Sequence, residues 1–550
     1  MLAESRRRRG QRGSTLILFT LMLPLVLIPM VGLAIDAAKL RIVQAKLSAA
    51  VDGASLGAGR LLGTTANSQE IATEFLNANF PTGEGFWSAT NFNPTVTVTI
   101  GTTKTIAINA TASVPLFFGW LFGQSVVAPS AASTATRRDS RVELVIDRSG
   151  SMNTSDGAGS TVIADVRNYA KGFAQRFLEG SDELGLVVFD GSAVVGYPTV
   201  QPWDSTTTST STGGPDSSFN AGTTTDMIHE IGNITASSGT GMAEALSMAY
   251  IELQKAHLKD LAANGVDTRL NSIVLFTDGV PSAVSLYLND NDRTPTDNAI
   301  LSTSACTNKN PTKPVAFAKQ MLGWLAIAGP PYSGTGTSLG FNQLASLDTT
   351  VSHTVTWWMQ HGGSDATSSS PNWSYPTNPA AEGSCSTSLS SKLLSSGTSL
   401  SKIPSYDKWG NSLNPAGSPY TNSYIVESNG QTSSIYTAGQ ALVMTQPTQD
   451  YDWGLAMWNA VDGAAKNIRL DGNLANRAGD TQNMAVAIYA IGYMGNGGID
   501  QGLLLRVAND KTCASYSSTQ PQGIYVAASN ANGLASAFNT IAAAVLRLSQ

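Results

Sequence analysis

Five oxygen-bearing side chains, spread over three short segments, carry the clearest chemistry in this sequence. Asp147, Ser149 and Ser151 stand at i, i+2 and i+4, directly after the apolar run Val142–Ile146, which is interrupted only by Glu143. Such a run reads as a buried strand, so one carboxylate and two hydroxyls emerge on a loop at its C-terminal end. Thr240 lies between Gly239 and Gly241, just before a helical pattern that buries Met242, Leu246, Ala249 and Leu253. Asp278 follows a third apolar run, Ile273–Phe276, in the segment Thr277-Asp278-Gly279. An all-oxygen set of this kind suits a hard divalent cation, Mg²⁺ first, with Mn²⁺ or Ca²⁺ as alternatives. In open α/β sheets, ligands collect at the carboxyl ends of the strands.

The elements that must hold these loops are legible in order. Val162, Val166, Tyr169, Phe173 and Phe177 share one helical face; Leu184–Phe189 is a second buried strand, and Ala193–Val200 reads as an edge strand. Asp452–Asn467 gives a helix with Leu455, Trp458, Val461 and Ala465 inward. Then come a strand at Val486–Tyr493, a short helix at Leu503–Ala508 and a short strand at Gly523–Ala527. A last helix carries Leu534, Phe538, Ile541 and Val545 on one side. Alternating strands and helices predict an α/β fold with a doubly wound, mostly parallel sheet.

The three loops, in this order and on these elements, resemble the metal-ion-dependent adhesion site of von Willebrand factor A domains. The resemblance assigns Asp147, Ser149, Ser151, Thr240 and Asp278 to the metal, with Thr235 as a competing choice for the threonine. It implies an open coordination position that an Asp or Glu carboxylate of a partner protein would fill.

The N-terminal end differs in character. Residues 1–13 carry a net charge of +4, and the rest of the chain carries −10. Arg6 to Arg9 and Arg12 precede Thr15–Ile35, 21 residues without a charge. As a helix that run spans ~31 Å, enough to cross a bilayer. It exceeds the ~7–15 apolar residues usual for a cleaved signal peptide, which favours a retained anchor. The basic flank places the N-terminus in the cytoplasm and the remainder outside. Leu40, Val43, Leu47, Ala50, Ala54, Gly57 and Leu61 continue at helical 3,4 spacing, forming a small-residue seam for a partner helix or for the chain's own downstream region. Val96, Val98 and Ile100, then Ile106, Ile108 and Ala110, alternate around Gly101–Lys104 and predict a hairpin. Val114–Gly123 is strongly apolar but too short to span, which leaves it packed on the hairpin or touching the membrane surface.

Arg12-Gly13, the single apolar segment, Asp36, Gln44 and Asp52-Gly53-Ala54-Ser55-Leu56-Gly57-Ala58 resemble the N-terminal region of TadE/TadG-like Flp pilus-assembly proteins. Pseudopilin-type relatives carry an acidic residue five positions after a processed glycine. Here that place falls on Phe19 or Leu18, so the resemblance points to the anchored, TadG-like type. The ending Phe538-Asn539-Thr540-Ile541 resembles the same group.

These readings divide the chain into a cytoplasmic basic leader (1–14), a transmembrane anchor (15–35), a TadE/G-like helix and hairpin region (36–136) and a von Willebrand factor A domain (137–550). The last contains an insertion at about 283–450, rich in Ser, Thr, Asn, Gly and Pro. The insertion also carries Trp357, Trp358, Trp373, Tyr375, Tyr406, Trp409, Tyr420 and Tyr424. Disordered segments are usually poor in aromatics, so a partly ordered, loop-rich lobe is expected. Cys306 and Cys385 lie within it and could form a disulfide outside the cytoplasm. Cys513 would then be unpaired.

The composition narrows the function. Only 13% of residues are charged, about half the ~25% usual for soluble proteins, and the net charge of −6 gives no sign of nucleic-acid binding. Three cysteines and four histidines exclude a disulfide-dense scaffold and leave little for a histidine-based site. Ser149 and Ser151 have no histidine near them in a nucleophile–base pattern, so no enzymatic activity is expected. The expected function is an inner-membrane-anchored, extracytoplasmic component of Flp/Tad pilus assembly. It would bind a protein partner through a divalent cation and contact other Tad pilus-assembly proteins. The alternative is a structural envelope or surface-adhesion protein in which the cation only staples the A-domain loops.

Overall fold

β-Branched and leucine side chains on both faces of Ser140–Asp147 demand cover on both sides, and every residue of that strand is buried. In a computed structural model it lies near the middle of a six-stranded sheet. The structure describes residues 3–63, 67–80, 89–100, 103–191, 193–199, 213–236, 239–289, 299–300, 321–326, 340–346, 403, 405–407, 409–413, 449–470, 482–494 and 499–548. The chain divides into two compact units, Met1–Arg138 and Asp139–Ser549.

The first unit opens with one continuous helix, α1 (Ala3–Gly59), with Pro24 and Pro29 inside it. Its apolar N-terminal half exposes Leu25, Met30 and Leu33, and it is long and apolar enough to cross a membrane. Its C-terminal part belongs to a folded core. A second helix, α2 (Ser68–Asn79), and four strands complete the unit: β1 (Thr90–Thr99), β2 (Lys104–Pro115), β3 (Val126–Val127) and β4 (Ser130–Arg137). β1 and β2 form the expected hairpin, with Val96 opposite Ile108 and Val98 opposite Ile106. β4 runs antiparallel along the other edge of β2 and extends one residue past the boundary read at 136. Val43, Leu47, Ala50 and Ala54 of the small-residue seam are buried with Ile106, Ile108, Ala72 and Leu76. The seam is therefore covered by the chain's own α2 and sheet. Leu62 takes the buried place expected for Leu61, because the helix ends at Gly59 and the following turn rotates the next residue inward.

The polar members of the N-terminal motif hold this helix to the sheet. Gln44 Nε2 donates to the Ser130 carbonyl at 2.8 Å, and the Ser55 and Ser133 hydroxyls lie 2.9 Å apart. Arg137 Nη1 donates to the carbonyls of Arg60 and Leu62 at 3.2 Å each, satisfying groups left open where α1 ends.

The second unit is α/β. Its strands are β5 (Ser140–Asp147), β6 (Glu183–Phe189), β7 (Ala193–Tyr197), β8 (Leu270–Thr277), β13 (Val486–Tyr493) and β14 (Tyr525–Ala528), in spatial order β14-β13-β8-β5-β6-β7. All neighbours are parallel except the edge strand β7, which is antiparallel to β6. The sheet is thus doubly wound and mostly parallel, and the strand order reverses between β5 and β8. α3 (Val162–Ala174), α4 (Met227–Gly232) and the last helix α8 (Ala531–Leu548) lie against one face, with Phe173 and Phe276 both packed on Phe538. α5 (Met242–Asn264), α6 (Gln449–Leu470) and α7 (Gln501–Ala508) cover the other. The inward residues expected on α5, α6 and α8 are buried.

Within 283–450 the structure describes a separate four-stranded sheet, ordered β10-β9-β11-β12. Its strands are β9 (Ala283–Asn289), β10 (Ala299–Ile300), β11 (Met321–Ala326) and β12 (Gly340–Ser346). A second described piece, around 403–413, is part of the main core. Ile403 and Leu413 are buried in it, and Asn411 Nδ2 donates to Ser247 Oγ on α5 at 3.0 Å. Asn459 Nδ2 on α6 donates to the Leu413 carbonyl at 2.8 Å. Trp409 is half-buried against the same core and Tyr406 is exposed. Trp357, Trp358, Trp373, Tyr375, Tyr420, Tyr424, Cys306 and Cys385 lie outside the described residues. The Cys513 thiol is buried, 3.0 Å from Ser515 Oγ.

Candidate metal centre

Asp147 is the last residue of β5, and Asp278 follows the last residue of the neighbouring β8. The two carboxylates therefore flank the point where strand order reverses, the place where α/β sheets leave a crevice. Asp147 Oδ1 accepts from the Ser149 amide at 2.7 Å, which folds the loop back over the strand end. Ser151 Oγ donates to Asp278 Oδ1 at 2.7 Å, Ser149 Oγ reaches the same oxygen at 3.4 Å, and the two hydroxyls are 3.0 Å apart.

Thr240 joins them from a third loop. Gly239 has φ +84°, a backbone that favours glycine. A Cβ on Gly241 would sit 2.7 Å from the Gly191 carbonyl oxygen, so this loop passes directly against the end of β6. Thr240 Oγ1 lies 3.4 Å, and Asp147 Oδ2 3.9 Å, from the position a Cβ on Gly279 would take, so both face the same point. Thr235 is exposed, and its carbonyl accepts from Arg148 Nη1 at 3.2 Å.

Two partners of the cluster carry no obvious sequence signal. Thr277 Oγ1 donates to Asp147 Oδ2 at 2.6 Å, and only its place before Asp278 could have suggested it. Asp190, at the end of β6, pairs with Arg148 and accepts the Gly241 amide on its backbone carbonyl, fixing the threonine loop from below.

The electrostatics are those of an uncompensated acid pair. Burial, then the nearby Asp278 charge, push the Asp147 carboxyl well above the usual carboxylate range. Burial raises Asp278 as well, against the hydroxyls that lower it. Asp278 Oδ2 is buried without a hydrogen-bond partner among the described residues. Among those residues no group of three His, Cys, Asp or Glu side chains is arranged to hold a metal ion, so a cation would have to draw on hydroxyls here. Two carboxylates and three hydroxyls offer a hard cation such a set.

At the opposite end of the sheet, Arg141 is fully buried. It meets Glu183 at 2.7 Å, Asp260 at 2.6 Å and Asp267 at 2.7 Å. His257 Nδ1 is 2.7 Å from Asp267 and its Nε2 2.9 Å from the Gln482 carbonyl, so this histidine is engaged far from Ser149 and Ser151. Burial opposes the Asp267 charge, but the His257 contact and the Arg141 guanidinium hold its carboxyl well below the usual range.

Residues 13–61 match the family of putative Flp pilus-assembly TadE/G-like proteins. The chain therefore carries a TadE/G-like segment at its N-terminal end. A comparison with curated proteins gives no match. Among solved structures, the PilB minor pilin from Streptococcus sanguinis is 13% identical, with 84% of this chain and 79% of that one covered and a TM-score of 0.34. The von Willebrand factor domain of the type V pili tip protein Mfa5 from Porphyromonas gingivalis is 14% identical, with 76% and 98% covered and a TM-score of 0.31. Superposition at this level is too loose to assign function.

Proposed function

We propose that the chain is a membrane-anchored component of Flp/Tad pilus assembly whose second unit binds a protein partner through a divalent cation. α1 crosses the inner membrane with its arginine-rich end in the cytoplasm, and the bulk of the chain lies outside. Asp147, Ser149, Ser151, Thr240 and Asp278 hold the cation, Mg²⁺ first, and an Asp or Glu carboxylate of the partner completes its coordination. The pilus assignment rests on the family match at residues 13–61. The metal assignment rests on one observation above the others: Asp278 Oδ2 is buried and unpartnered beside a second buried carboxylate. Burying two such charges together is costly unless a cation or protons neutralise them.

The test uses the full chain in detergent, stripped of metal, with Asp147→Ala beside it. Mg²⁺ at 100 times its Kd is expected to stabilise the second unit by ~2.7 kcal/mol, with no rise in the variant. Co-purification of pilus-assembly proteins, with and without chelator, is read alongside. No response to Mg²⁺, Mn²⁺ or Ca²⁺ overturns the cation site. A thermal response with chelator-insensitive partners turns the cation into a staple of the three loops.

A further inference from the structure

The segment Leu116–Val126 forms a tight knuckle at the end of the β2 strand. Leu116 N–H donates to the Ser125 carbonyl at 2.9 Å, and Gln124 N–H donates to the Gly119 carbonyl at 3.0 Å. A Cβ on Gly119 would overlap the Gln124 carbonyl oxygen, and Gly123 has φ +76°. The knuckle turns its apolar side chains outward: Trp120 is 66% exposed, Phe122 58% and Phe117 46%, with Leu121 and Val126 also exposed.

What sets the position of these residues is their attachment to α1. The amides of Phe117 and Phe118 donate to Asp36 Oδ1 and Oδ2 at 2.8 and 2.9 Å. Lys39 Nζ donates to the Pro115 carbonyl at 2.7 Å and lies 4.4 Å from the centre of the Phe117 ring. Phe118 packs on Gly32 so closely that a Cβ there would overlap its ring. Gly32 belongs to the uncharged run Thr15–Ile35, whose exposed Leu25, Ile28 and Leu33 would face lipid. From Gly32 to Asp36 the helix rises only ~6 Å. The aromatic knuckle is thus level with the outer end of the apolar run.

We propose that this knuckle is a second membrane contact, in which Phe117, Trp120, Leu121 and Phe122 enter the headgroup and upper acyl region of the outer leaflet beside α1. Aromatic side chains concentrate at that depth, and Phe118 seats the knuckle directly on Gly32 of the helix. The inference rests on the reading that α1 crosses the membrane.

The test places a bimane label on Phe122→Cys in the full chain, reconstituted in phosphatidylcholine/phosphatidylglycerol vesicles, with the labelled parent chain subtracted. Leu25→Cys on the apolar part of α1, read with lipids brominated near the acyl-chain end, and Asn109→Cys on the exposed side of β2 are the references. Quenching at 122 by lipids brominated high on the acyl chain is expected, several-fold above that at 109, with little quenching by aqueous iodide. If 25 is quenched and 122 is not, the knuckle faces water or protein and the inference fails, whichever way iodide reads. If neither 25 nor 122 is quenched, the membrane-crossing reading of α1 fails with it.

Discussion

Asp147 and Asp278 give the second unit a pH dependence of their own. Both carboxyls are raised above their unfolded value of ~3.9, so between that value and the raised folded ones the native state binds more protons than the unfolded chain. The pair's contribution is then fully present below ~4 and declines as pH rises through neutrality. Metal-free protein is expected to lose stability from pH 5 to pH 8, and Asp278→Asn is expected to flatten that slope. Denaturant unfolding at the two pH values checks both. Glu143, buried in β5 and raised by burial and by Glu252, slopes the same way, so the comparison with the variant isolates the pair. Cation binding runs in the opposite sense: it requires the carboxylates ionised, and its stabilising effect grows with pH.

At the scale of elements, the loop cluster was the most legible part. A hydroxyl triplet directly after a buried strand and a threonine between glycines are local patterns, and local patterns survive in sequence. The Arg141 network was not legible, because its members come from β5, β6, α5, the turn before β8 and the segment before β13, with no spacing to connect them. Removing the guanidinium would leave Glu183 and Asp260 to Arg269 alone and the buried Asp267 to His257 alone. Arg141→Met is expected to destabilise the second unit by ~3–5 kcal/mol, measured by urea unfolding. The small-residue seam failed to declare its partner for a different reason. A 3,4 repeat looks alike whether a foreign helix or the chain's own sheet covers it, and only the fold shows Ile106 and Ile108 against Val43 and Leu47. Ile403 and Leu413 were hidden in a Ser/Thr/Asn-rich stretch whose composition disguises two core positions.

At the scale of the whole molecule, each unit has its own apolar core, one built around α1 and the hairpin, the other around the six-stranded sheet. Calorimetry of the full chain in detergent is expected to resolve two transitions, of which Mg²⁺ shifts only the one belonging to the second unit. A cation that moved both together would show the units to be cooperative. The α/β class and the doubly wound, mostly parallel sheet followed from the alternation of runs and helices; the order of its strands came only with the fold. The share of 283–450 that joins the main core did not, since a long polar insertion reads as a single body.

α1 has a mechanical consequence. Its apolar half and the half that forms a wall of the first core are one unbroken helix, with no linker at Ile35 or Asp36. Gln44, Ser55 and the Arg137 cap rivet the inner wall to the sheet along several turns. A load or twist applied to that sheet would travel down the helix as through a shaft, reaching the opposite end with little slack. A flexible tether would dissipate the same pull. With α1 across a bilayer as proposed, such a rod would convert force on one side into displacement on the other.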